Sequence, residues 1–300
     1  MNDNKLLPVG ALLFSATAWG VIWYPYRLLE KAGVVGEMAT FVTYLTALVL
    51  ISLLFPMAWR QFGRAPGALA VIALSGGWCN LAYVLGTLSG EVMRVLLLFY
   101  LAPLWTVPLA RFILKEKISF SGYAVVFLAL CGAMVMLWNP SLGLPIPTSG
   151  AEWLGLSSGF AFSLANVMVR RVHNCGVAVK TQSIFLGTTV VALVVALSRS
   201  GNTPEMLNLM RDEWGMVLFT AAVLASMSLA VNYALSHMAA TRAIIIMLFE
   251  LVVAAVASYF LVGEEMDLKE WVGGAMIVAA SVFSGIMEGR QSPEQAPAVA

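Results

Sequence analysis

Charge is what this chain has least of. Seventeen basic and 16 acidic residues make up 11% of 300 positions, against about 25% in an average soluble domain. Hydrophobic residues reach 60% and the mean hydropathy is +0.87. So few charges cannot cover a soluble globule of this length, so lipid must replace water around much of the chain. Aspartate is confined to Asp3, Asp212 and Asp267, in tails or loops, which excludes an intramembrane aspartyl dyad. The histidines are His173 and His237, and no H-E-x-x-H or G-x-x-x-x-G-K-[ST] run occurs. The enzyme residue sets are therefore missing, and any active transport would draw on a gradient instead of an ATP motor. Cys79, Cys131 and Cys175 have no metal-ligand spacing and read as apolar filler. Neither cofactor nor metal is expected. A net charge of +1 without a long basic run excludes a nucleic-acid surface.

What is present is a series of long uncharged runs. They predict an all-α integral membrane fold of ten helices, at about 6–26, 38–59, 67–89, 92–112, 119–138, 152–170, 180–198, 214–236, 241–262 and 269–287. Asn139-Pro140 and Pro145-Ile146-Pro147 end the fifth span, and the following stretch reads as loop. The first span is too long for a signal peptide and lacks a cleavage site, so it is expected to be retained. With the N-terminus inside, Lys5, Arg60, Arg64, Arg111, Lys115, Lys117, Arg170, Arg171, Lys180, Arg242 and Arg290 are cytoplasmic, 11 of the 17 basic residues. Both termini are thus expected on the cytoplasmic side. Residues 289–300 read as a disordered cytoplasmic tail.

The two halves repeat each other. Met93-Arg94-Val95, an apolar helix and Leu114-Lys115-Glu116 return 148 positions later as Thr241-Arg242-Ala243, an apolar helix and Val262-Gly263-Glu264. Ser15, Arg27 and Gly33 return 143 positions later as Ser158, Arg170 and Gly176. The predicted units are residues 1–145 and 146–288, five spans each. After an odd number of crossings the second copy must sit upside down. Inverted repeats place a site near the bilayer midplane where they meet. Arg94 and Arg242 then fall near opposite faces, either as headgroup anchors or as symmetry-related gate residues.

Glu250 is the one charge that interrupts a span near its centre. An ionised carboxylate there costs on the order of 3 kcal/mol on insertion scales. It reads either as a cavity residue that takes a proton or an ammonium group, or as a protonated link to a neighbouring helix. Helical spacing groups Asn80 with Tyr83, Asn166 with Gly159 and Ser163, and Asn232 with Ser228. Small and polar stripes also serve close helix packing; the asparagines are the better candidates for lining water. Tyr100 and Pro103 share a face of span four, and Trp19 lies deep in span one. A large amphipathic solute would find π-surfaces at Trp19, Tyr83 and Tyr100, and hydrogen bonds at the asparagines. Trp78 points away from Asn80 and reads as packing, while Trp271 belongs to the interfacial belt.

The segment Leu97-Leu98-Phe99-Tyr100-Leu101-Ala102-Pro103-Leu104-Trp105 through Leu114-Lys115-Glu116 resembles the signature of the drug/metabolite transporter superfamily, EamA type. Phe249-Glu250-Leu251 through Gly263-Glu264 and Trp271-Val272-Gly273-Gly274-Ala275 resemble the same family's second half. Within it, Tyr100-Leu101-Ala102-Pro103 is most similar to the YddG-type aromatic amino acid exporters. Leu251 stands where the family often has proline after the glutamate. The resemblance implies a secondary transporter in the cell inner membrane that exports amino acids, aromatic or apolar ones preferred, by alternating access. Its partners would be that small-molecule substrate, the lipid bilayer and coupling protons. An exporter of another small metabolite or cationic drug, or a non-transporting receptor or assembly subunit, are the alternatives.

Overall fold

The apolar runs fold as helices, and prolines decide where those helices break. The computed structural model describes residues 6–115, 120–138, 146–199, 211–237, 246–247 and 249–291, and among the described residues there are helices and turns but no strand. The first run forms α1 (Leu6–Val21) and α2 (Trp23–Lys31). Pro25 has no N–H to return to the carbonyl of Val21, so the ladder is interrupted at Ile22. The indole N–H of Trp23 donates to Gly20 O at 2.8 Å beside the break. The chain continues as α3 (Gly36–Leu54), a 3-10 stretch (Pro56–Arg64) and α4 (Pro66–Ser89).

The fourth run is broken twice. It forms α5 (Val92–Phe99), a turn at Tyr100 and Leu101, then α6 (Ala102–Leu109) and a wider π-helical stretch (Ala110–Leu114). Pro103 cannot donate to Phe99 O, and Pro108 likewise leaves Leu104 O without its helical partner. The expected single helix is thus segmented at its centre. Six further helices follow: α7 (Phe120–Leu137), α8 (Gly150–Arg171), α9 (Val177–Arg199), α10 (Trp214–His237), α11 (Phe249–Val262) and α12 (Leu268–Gln291).

Among the described residues, six stretches are long and apolar enough to cross a membrane: Leu7–Lys31, Gly36–Leu54, Pro66–Ser89, Val92–Leu114, Val177–Arg199 and Trp214–Val231. α7, α8, α11 and α12 occupy the positions of the other four expected spans. α8 and α12 are long enough, but Glu152, Arg170 and Arg171, or Lys269, Glu270, Glu288 and Arg290, dilute their apolar character. α11 comprises 14 residues, and positions 241–245 and 248 of its expected span lie outside the described residues.

Small residues set the packing. Gly187 of α9 rests on the backbone of Ala73 in α4, where a Cβ would collide with the Ala73 carbonyl. α8 runs parallel to the fourth span: Gly155 meets the backbone of Val95, Gly159 meets Phe99 O, and Ser163 Oγ donates to Ala102 O at 2.8 Å. α1 packs on α10, where Ser15 Oγ lies 3.2 Å from Met227 O, and on α11, where Gly20 abuts Glu250 O. The largest core joins Trp23, Tyr26, Tyr44, Tyr83, Leu96 and Leu251. Below, the face where α1 starts is called proximal and the face where α2 ends is called distal.

Candidate functional site

One helix break and one close approach put a carboxylate inside the helix assembly. Glu250 stands in the first turn of α11 and is 7% exposed. Gly20 lies near the centre of the stretch Leu7–Lys31, and a Cβ there would come within 2.8 Å of Glu250 O. That contact sets the depth of Glu250 at mid-span. The turn after α5 brings Tyr100 alongside, and its hydroxyl donates to Glu250 Oε2 at 3.0 Å. Without the interruption at Tyr100 and Leu101, the following residues would continue the axis of α5.

An aromatic group extends from this bond. Phe99 meets Tyr100 edge-on with ring centroids 5.5 Å apart, Tyr83 at 6.1 Å and Phe162 at 5.0 Å. These are favourable edge-to-face or tilted spacings. Tyr83 is 7% exposed and its hydroxyl has no hydrogen-bond partner. Trp19 and Tyr100, both half-buried, pack against the same core as Tyr83. A carboxylate, a free phenolic donor and several π-faces are thereby gathered at one level. Such a set can receive an ammonium group, a hydrogen-bond acceptor and an apolar or aromatic body.

The other residues expected from sequence fall elsewhere or partly apart. Asn80 Nδ2 donates to Thr188 Oγ1 of α9 at 3.0 Å, so its amide joins two helices. Asn166 is exposed on α8, one turn beyond Ser163 on the face that meets span four. Pro103 lies at the start of α6, where it shapes the break. Asn232 falls in α10, with its side chain outside the described residues, and Arg242 lies outside them altogether. Trp78 is 38% exposed and its indole N–H lies 3.3 Å from Ser157 Oγ. Phe99 was not singled out from sequence, because an apolar residue in an apolar span carries no periodic signal.

Arg94 is not a lone headgroup anchor. At the distal face its Nη1 lies 3.2 Å from Glu152 Oε1 and its Nε lies 3.1 Å from Glu270 Oε1. The second contact lacks the alignment of a hydrogen bond. Nearby, Arg27 Nη2 lies 3.5 Å from Glu264 Oε1 and donates to Thr87 O and Gly90 O, each at 3.0 Å. Its guanidinium also sits 5.4 Å from the Trp23 ring centroid. Among the described residues no group of three or more His, Cys, Asp or Glu could hold a metal ion.

The EamA-like transporter family model matches residues 6–138 and 149–286. An uncharacterized transporter of Archaeoglobus fulgidus is 26% identical over 250 residues, 83% of this chain and 88% of that protein. Protein RarD of Escherichia coli K12 is 26% identical over 165 residues, 52% of this chain and 53% of its own. A solved crystal structure aligns with 94% of this chain and 99% of its own at a TM-score of 0.47 and 16% identity. The family match covers most of the sequence, including the segments that carry Tyr100 and Glu250. The chain therefore belongs to the EamA-like transporter family and is a multi-pass membrane transporter of small molecules.

Proposed function

We propose that this transporter is a secondary exporter of amino acids, aromatic or apolar ones preferred, working by alternating access in the cell inner membrane. The observation that carries this reading is the Tyr100–Glu250 hydrogen bond at mid-span, beside the unpartnered hydroxyl of Tyr83. An amino acid has three parts to recognise. Its ammonium group suits Glu250, its carboxylate suits the Tyr83 hydroxyl, and its side chain suits the π-faces of Phe99 and Trp19. Glu250 would also accept the coupling proton when no ammonium group is present.

The site would lie between two inverted five-helix repeats in a ten-span chain with both termini cytoplasmic. Paired contacts support that arrangement. The sequence shifts of 143 and 148 positions carry Gly20 onto Ser163 and Ala102 onto Glu250. Gly20 rests on Glu250 O, and Ser163 donates to Ala102 O, so the same approach of helices occurs twice between the halves. A cationic solute without a carboxylate is the second reading, favoured by the same buried Glu250.

The test is counterflow in proteoliposomes with labelled phenylalanine, tryptophan, threonine and a nucleotide sugar, with and without a pH gradient. Saturable flux of phenylalanine or tryptophan is expected. Absence of saturable flux for every amino acid would sink the substrate assignment.

A further inference from the structure

The distal face carries charges that the substrate site does not use. Two guanidinium groups, of Arg27 and Arg94, come from the first half of the chain. Their three carboxylate partners, Glu152, Glu264 and Glu270, come from the second. Every ion pair in this set therefore crosses between halves.

The carboxylates have a second engagement. Glu152 caps the start of α8: its Oε2 accepts the N–H of Thr148 at 2.7 Å, while its own N–H donates to Ser149 Oγ at 3.2 Å. Glu270 caps the start of α12, accepting the N–H of Asp267 at 3.0 Å. These local bonds stay within the second half whatever Arg94 does. Glu264 differs, since it accepts the N–H groups of Val92 and Met93 at 2.9 and 3.3 Å, holding the start of α5 from across the halves. Gly263, at φ +72°, reverses the chain after α11 and delivers Glu264 to that position.

We propose that Arg94 with Glu152 and Glu270, and Arg27 with Glu264, form the distal gate of the transport path. This proposal rests on the alternating-access reading above. Opening would break the bonds to partly exposed guanidinium groups, 25% for Arg94 and 19% for Arg27, which water can rehydrate, together with those from the Val92 and Met93 N–H groups to Glu264. Fully exposed pairs contribute about 1 kcal/mol or less; here Glu152 and Glu270 are 4% and 6% exposed, so their capping bonds have to hold them when Arg94 leaves. On opening, Glu152 and Glu270 keep their capping bonds, so neither is left without a partner. The links are strong enough to bias a two-state equilibrium and weak enough to be released in each cycle. Immediately below Arg94, Val95 is 1% exposed and packs against Gly86 and Gly155, the first layer that an opened gate would wet.

The test uses the full-length chain with Val95→Cys as a reporter, labelled by a membrane-impermeant thiol reagent applied separately to each face of sealed vesicles. The unsubstituted chain, with its native cysteines, gives the background. Glu152→Gln with Glu270→Gln removes the charges while glutamine keeps the capping geometry. Distal labelling of the reporter is expected to rise at least about fivefold in that background. A smaller rise in correctly folded protein overturns the gate. Arg94→Gln in the reporter chain is the second variant should the double substitution not fold, with the same expectation and threshold. Labelling needs no substrate, so a failed amino-acid assignment leaves this result standing. Conversely, amino-acid flux with unchanged labelling would overturn the gate alone.

Discussion

Tyr100 and Glu250 are joined by a hydrogen bond of 3.0 Å although 150 positions separate them in the chain. The bond ties the interrupted centre of the fourth span to the first turn of α11. It brings together the one carboxylate expected near the centre of a span and a phenol positioned by a backbone break.

Glu250→Gln keeps the size of the side chain and most of its hydrogen bonding but removes the charge. Transport is expected to be abolished, or to proceed without responding to a pH gradient, at unchanged expression. Wild-type flux with the wild-type pH response would assign Glu250 to helix packing.

Tyr100→Phe removes the donor and leaves the ring. Hydrogen bonds to charged groups contribute about 1.5–3 kcal/mol, so an increase in KM of about tenfold or more is expected. An unchanged KM in counterflow would mean that the bond is not remade around the substrate.

Tyr83→Phe should separate stability from transport. The Tyr83 hydroxyl is buried without a partner, so removing it is expected to leave the melting temperature in detergent unchanged or raised. Flux of an amino acid should nevertheless fall, because the carboxylate loses its donor. A lowered melting temperature with normal flux would contradict both halves of this expectation.

Gly187→Ala tests the packing of α4 on α9. The added methyl would meet the Ala73 carbonyl, which cannot move without shifting a helix. Overpacking of this kind costs about 1–3 kcal/mol. A clear fall in melting temperature is expected, together with loss of monodisperse protein in size-exclusion chromatography.

Trp271→Leu serves as the contrast. Trp271 is 58% exposed at the start of α12, and its replacement should leave flux within about twofold of the parent, as for surface substitutions in general. A large defect confined to one substrate would place the transport path at α12.

Much of this arrangement is legible in the sequence. The uncharged runs locate the helices, and the isolated Glu250 points to the level at which Tyr100 and Tyr83 are found. The interruptions are only half legible. Pro103 signals a break in the fourth span, but proline chemistry alone does not say that the ladder fails at Tyr100 and Leu101 and widens again at Ala110–Leu114. The break in the first span follows from Pro25, which the uncharged run around it conceals. Asn80 shows the limit of periodicity: a polar residue on an inward face satisfies the pattern equally well by bonding Thr188 as by lining water. Glu152, Glu264 and Glu270 were hidden by their position, since charges at span ends resemble headgroup anchors. The usable signal was local: Ser149-x-x-Glu152 and Asp267-x-x-Glu270 are capping boxes. A carboxylate held at a helix start is fixed in direction and available to a partner.

The paired contacts of Gly20 on Glu250 O and Ser163 on Ala102 O have one more consequence. The repeat in the sequence relates these two contacts to each other, but the chemistry at them differs. At equivalent positions one half presents a carboxylate and the other a methyl group. On the proposed reading, a solute with a single cationic end would meet one anchor and no competing one, and so would not turn over between two equal berths. On the transport reading proposed above, the near-symmetry that would let the helices rock both ways is combined with a polarity that would keep the cargo pointing one way throughout the passage.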